Sequence, residues 1–139
     1  MTLPNAEDLP YWKSGKSAAE SWLDKTEKLL VDAGGTVQLR MVGRQGEIEG
    51  IIFGFVLAGD SYKLSWPVLP TRKEADRPAA RRQAATMIYH DTKARVARLR
   101  IFGPRVVFAD WLVLGDGSTV AERGGQGVPE LLEGVKLLP

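Results

Sequence analysis

Apolar residues recur along this chain at two spacings, and the switches between them outline the elements. Ala19, Trp22, Leu23, Thr26, Leu29, Leu30 and Ala33 follow helical spacing. Ser17 stands three residues before Glu20, the spacing of a capping box in which each side chain satisfies the other's free backbone N–H. Gly34-Gly35 ends this helix, because glycine accepts the left-handed conformation at a helix terminus. In "TVQLRMV", Val37, Leu39 and Met41 alternate with Gln38 and Arg40, the period of a half-buried strand. Gly43 to Gly46 reads as a turn. "EIEGIIFGFVL" is a longer strand with Ile51, Phe53, Phe55 and Leu57 on one face. Ile48, Ile52 and Val56 share the other face with Gly50 and Gly54. Such a strand is central, or covered on both faces. Ala58-Gly59-Asp60-Ser61 makes a hairpin turn. "YKLSWPV" gives a third strand with Tyr62, Leu64 and Trp66 on one face, and Pro67 ends its pairing or lies at an edge.

Three prolines and mixed charge make residues 67 to 78 a loop, expected to be the most mobile one. A long helix runs next, from Pro78 to Ile101, stopped by Gly103-Pro104. "RVVFADWLVL" reads as a fourth strand, and "TVAE" after the "GDGS" turn as a short fifth. Hairpin-length turns make the first three strands antiparallel neighbours. The expected fold is a single α+β domain of order αβββαβ(β), an antiparallel sheet with two helices on one face. It spans residues 17 to 122. Residues 1 to 16, broken by Pro4 and Pro10, form an arm that Tyr11 and Trp12 anchor. Residues 123 to 139 hold a glycine joint and an apolar tail, "VPELLEGVKLLP", too apolar to stay in water. The tail is expected to dock on the body or, through residues 128 to 139, on a second copy.

Composition adds limits. The chain has 139 residues, enough for one domain with a core. It has no cysteine, which excludes disulfides and thiolate metal sites. His90 is its one histidine, which argues against a histidine-built zinc site. No metal or cofactor is expected. No run of about 18 apolar residues would span a membrane, and the first residues lack the basic and apolar regions of a signal peptide. A cytoplasmic protein is the default expectation.

Charge changes the picture more. Net charge is only +2. Yet residues 72 to 105 hold ten basic residues against three acidic ones, while the remainder holds nine basic and fourteen acidic. Much of the block falls on the long helix. At 100° per residue, Ala85, Ile88, Thr92, Val96 and Leu99 form its core stripe, with Thr86, His90 and Ala97 further out. Arg82, Tyr89, Lys93 and Arg100 line one flank, a strip about 27 Å long. Such a strip can follow the phosphates of a nucleic acid. Tyr89 offers a stacking surface, as do Trp12 and Trp66 where exposed. Arg72, Lys73 and Arg77 extend the candidate surface. The competing reading is a solvated face, with Arg81 and Arg95 near the stripe laying their stems on apolar surface and pairing with acids elsewhere.

Chemistry is sparse. The element order is that of the PD-(D/E)xK nuclease core, so Glu47, Glu49, Asp60 and Lys63 are the residues to test. Their spacing is Asp-x-x-Lys rather than acid-x-Lys. "GDGST" lacks the lysine and following helix of a phosphate loop. "GRQGEIEG" has turn glycines, not a dinucleotide fingerprint. No catalytic residue is assigned. The segment "RRQAATMIYHDTKARVARLRIFGPRVVFADWLVLGDGSTVAE" resembles small phage or prophage proteins over residues 78 to 122, which implies no particular activity. A three-strand meander followed by a long helix is also similar in outline to the core of single-strand annealing proteins. The leading expectation is a non-catalytic protein for single-stranded DNA or RNA. The alternatives are a structural protein that oligomerises through its sheet edge and tail, and a metal-dependent nuclease.

Overall fold

The computed structural model describes residues 3–45 and 48–123. Their core is a three-stranded antiparallel sheet of β1 (Thr36–Gln45), β2 (Ile48–Leu57) and β3 (Asp60–Pro67), in that order. Helices α1 (Ala19–Asp32) and α2 (Arg77–Phe102) cover one of its faces. The α+β class and the central place of β2 agree with the sequence pattern. Odd-numbered residues of β2, Ile51, Phe53, Phe55 and Leu57, are buried against Leu23, Leu30, Ala84, Ala85 and Ile88. Even-numbered ones face away from the helices and stay partly open to water, so β2 is covered on one face only. Ala58 and Gly59 both have positive φ, 51° and 84°, the signature of a two-residue hairpin turn matched to strand twist.

Four expectations need correction. The first concerns β1, which runs on through the expected turn at Gly43 until Gln45 pairs with Ile48. A bulge between Val37 and Leu39 breaks its alternation. One extra residue reverses which side chains face the core. Val37 still packs inward, but Leu39 and Met41 turn outward and are 43% and 45% exposed. Arg40, opposite Phe53, points inward instead and meets Glu20 and Asp24 of α1 at 2.8 and 2.7 Å. The second is a consequence of the first. Glu20 is drawn to Arg40, and α1 begins at Ala19 with no side-chain cap.

The third correction is the expected fourth and fifth strands. Residues 104 to 111 are helical, α3 (Pro104–Val107) and then a 3-10 turn at Ala109–Trp111. Pro104 has the fixed φ suited to a helix start, and Arg95 of α2 clamps both short elements. Its guanidinium lies 4.0 Å over the Trp111 ring and donates to the Val107 carbonyl at 3.0 Å and to Asp110 at 2.8 Å. Only isolated bridges remain, Tyr62 with Leu112 and Val113 with Thr119. "TVAE" opens α4 (Val120–Arg123) through a capping box of its own. The Thr119 N–H donates to Glu122 and the Glu122 N–H to Thr119 Oγ1, each at 3.1 Å.

The fourth concerns the loop of residues 67 to 78, which is held at both ends. Val68 and Leu69 are buried, the Ala6 N–H donates to the Pro70 carbonyl at 2.8 Å, and Arg72 pairs with Asp8. The arm therefore docks chiefly through the fully buried Ala6, with Leu3, Leu9 and Trp12 against the core. The buried Gln83 amide donates to the carbonyls of Ala6 and Pro10, at 2.8 and 3.0 Å. Arm, α1 and sheet together bury more than one side of the first three turns of α2. Gln83 and Thr86 are buried there although the wheel sets them apart from the core stripe.

Arg77 and Arg81 converge on Glu49, which is buried at the start of β2. Burial alone raises the Glu49 pKa, but hydrogen bonds from Arg81 and Arg77 outweigh it and hold the carboxyl below its ordinary value. A depressed folded pKa contributes stability that is complete above the unfolded pKa, near 4.3, and is lost as pH falls through the folded one. Glu49→Gln is expected to cost about 1.5–3 kcal/mol at pH 7, less than a fully buried pair because Arg81 is 45% exposed. The variant should also lose less stability than the parent between about pH 5 and about pH 3. Urea titrations across that range measure both; parallel pH profiles would remove Glu49 from the acid response.

Candidate nucleic-acid interface

Helices α1 and α2 run in the same direction. Ala19 lies beside Arg82, Trp22 beside Tyr89, and Leu29 beside Val96. This packing assembles an aromatic cluster. Trp22 and Tyr89 have ring centroids 5.2 Å apart, and His90 lies 5.3 Å from Tyr89 and 5.8 Å from Trp22. Tyr11 of the arm stacks on His90 at 5.1 Å and 13° and is 41% exposed. A lysine stands over each central ring, Lys25 Nζ at 4.6 Å from Trp22 and Lys93 Nζ at 5.9 Å from Tyr89. In the order Lys25, Trp22, Tyr89, Lys93, two cations bracket a pair of neighbouring π-faces across the two helices.

Arg82 and Arg100 stand at the two ends. Arg82 and Lys16 line a cleft of about 420 Å³ between the N-terminal ends of α1 and α2. Arg100 lines a second cleft of about 290 Å³ with Leu29, Val96 and Leu99. Lys16, Lys25, Arg82, Lys93 and Arg100 pair with no carboxylate among the described residues; away from this face the same holds for Arg44, Lys73 and Arg98, while ten other cations, Arg40 and Arg72 among them, are paired. The basic block therefore divides in two. Arg72, Arg77, Arg81, Arg95 and Arg105 each meet an acid from elsewhere in the chain: Asp8, Glu49, Glu49, Asp110 and Asp60. Much of the charge asymmetry in the sequence is cancelled in space by these pairs. What remains uncancelled on α2 includes the strip.

The expected site residues fall accordingly. Arg82, Tyr89, Lys93 and Arg100 share the flank of α2 that meets α1. Arg72 and Arg77 serve the fold through Asp8 and Glu49. Lys73 is exposed in the preceding loop, apart from the aromatic cluster. Trp12 and Trp66 pack against the core. The sequence alone does not assign Lys16, Trp22 and Lys25 to this surface. Trp22 and Lys25 stand i, i+3 on α1, which is a signal, but its meaning depends on the neighbouring helix; Lys16 precedes the helix.

The nuclease candidates do not converge. Glu49 starts β2, and Asp60, paired with Arg105 at 2.7 Å, stands beyond its far end. Lys63 projects from the opposite face and pairs with Glu122 at 3.3 Å. Glu47 lies outside the described residues. No family model, curated protein or solved structure matches the chain.

Proposed function

We propose that the protein binds single-stranded DNA or RNA along the outer face of the α1–α2 pair, without catalysing a reaction on it. One observation carries this reading: the cations without a described carboxylate partner on this face flank an aromatic cluster rather than scatter around it. Phosphate contact needs unpaired cations, and sequence-tolerant single-strand binding needs π-faces between them. Arg82, Lys93 and Arg100 would meet phosphates, with Lys16 and Lys25 across the groove. Tyr89, with Trp22 and His90, would carry a base. A single strand suits this face better than a duplex. Helix α1 lies alongside α2 over this face, so neither helix projects alone to enter a major groove.

Fluorescence anisotropy of a labelled oligonucleotide, single-stranded and then annealed, tests the reading between about 50 and about 200 mM salt. With three phosphate contacts, log K should fall against log salt with a slope of about −2, and the single strand should bind more tightly. Absence of binding at about 50 mM salt removes the proposal.

A further inference from the structure

The outer face of the sheet lies opposite the helices and, along β1 and β2, is apolar where water meets it, with polar residues such as Lys63 and Ser65 on β3. Leu39, Met41 and Ile48 are 43%, 45% and 52% exposed, and Ile52 is partly exposed between them. Gly43 pairs with Gly50 across β1 and β2. With no side chain at either, the sheet dips into a groove of about 220 Å³ bounded by Met41, Ile48, Ile52 and Pro67. Arg44 stands at its rim. A Cβ at Gly50 would come within 3.3 Å of the Trp66 carbonyl oxygen, so the floor has little room for one.

The path of the chain says what can cover this face. Leu112 and Val113 run past the free edge of β3, where the Val113 N–H donates to the Ser61 carbonyl at 2.9 Å. The chain then crosses to the outer side. Lys63 projects from the outer face, because Tyr62 and Leu64 on either side of it are buried in the core. Glu122 of α4 meets Lys63 at 3.3 Å, so the described chain leaves at Arg123 on the apolar side of the sheet. Beyond it lie sixteen residues outside the described ones: Gly-Gly-Gln-Gly and then "VPELLEGVKLLP". Four residues reach at most about 14 Å. The groove lies about four residues along β3 from Lys63, roughly 13 Å.

We propose that residues 128 to 139 pack across this face of their own chain, with the leucines of the tail over the glycine-floored groove. Apolar side chains in the tail match an apolar face that nothing else in the described chain covers. The short joint favours the same chain over a second one, because a tethered segment acts at a high effective concentration.

The absence of cysteine gives a clean test in the full chain. Met41→Cys is combined in turn with a cysteine at Leu131, Leu132, Val135, Leu137 and Leu138, then oxidised at low protein concentration. At least one pair should close within the chain, giving a faster-migrating monomer on a non-reducing gel, while Val106→Cys, on exposed α3, should close with none. Alkylation of the Met41→Cys thiol should also speed up at least about tenfold when Leu131, Leu132, Leu137 and Leu138 are replaced by serine. Cross-links only between two chains would overturn the proposal in favour of a second copy. No cross-link together with unchanged alkylation would overturn it outright.

Discussion

Phe55→Ala is expected to cost about 3–5 kcal/mol of stability, a large share of the roughly 5–15 kcal/mol that holds a domain folded. Phe55 is 1% exposed on the central strand. Its ring stacks on Tyr62 at 5.3 Å, meets Phe108 edge-on at 5.3 Å and stands 6.4 Å from Trp111. These four rings join the sheet to residues 104–112, which no strand pairing fastens beyond isolated bridges. Removing the central ring leaves a cavity that the others cannot close without moving, since Arg95 fixes Trp111 from the other side. Urea denaturation should show a lower midpoint with an unchanged slope. Tyr62→Phe is the contrast. The Tyr62 hydroxyl is buried with no hydrogen-bond partner among the described residues, and burial, with the charge of Asp60, pushes its pKa up to about 12. Deleting an unsatisfied hydroxyl should change stability by less than about 1 kcal/mol, or raise it. A Phe55→Ala loss below about 1.5 kcal/mol would mean that residues 104–112 do not pack on the sheet as described.

Periodicity is legible in this sequence, and partners are not. Strand β2 can be read residue by residue because both of its faces keep a strict period of two. Strand β1 cannot, because one extra residue at a bulge exchanges its faces, and a bulge has no signature beyond the alternation it breaks. The same limit explains the two capping boxes. Ser17 and Glu20 have the right spacing, but Glu20 is drawn away by Arg40, an inward-facing residue only because of that bulge. Thr119 and Glu122 have the same spacing and form the box. Long-range charge pairing is equally hidden. A count along the chain gives Arg72 to Arg105 a large positive excess, yet five of those residues meet acids that lie between 15 and 64 positions away. The flank of Arg82, Tyr89, Lys93 and Arg100 is readable because it depends on one helix alone. Trp22 and Lys25 are not, because their place depends on two helices lying side by side, and only the packed structure brings them there.

That division makes the charge test selective. Replacing Arg82, Lys93 and Arg100 together with glutamine should weaken single-strand binding about a hundredfold at about 0.1 M salt, since each phosphate contact contributes about 0.7 to the slope of log K against log salt. The slope itself should fall by about 2. Stability should stay within about 0.5 kcal/mol of the parent for each site, because none of the three pairs with a carboxylate among the described residues. Tyr89→Leu keeps a side chain against Trp22 but removes a π-face. It should weaken binding by about 1–3 kcal/mol and leave the salt slope alone. Arg98 supplies the control for charge. It is exposed on α2, has no described carboxylate partner, and lies about 140° around the helix from Lys93. Arg98→Gln removes the same charge as Lys93→Gln, so a general attraction between a basic protein and nucleic acid predicts equal losses for the two. Contact along the strip predicts that Lys93→Gln loses affinity and slope while Arg98→Gln keeps both. Equal behaviour of these two single variants, or a triple variant that binds like the parent, would place the nucleic acid elsewhere on the surface or nowhere on it.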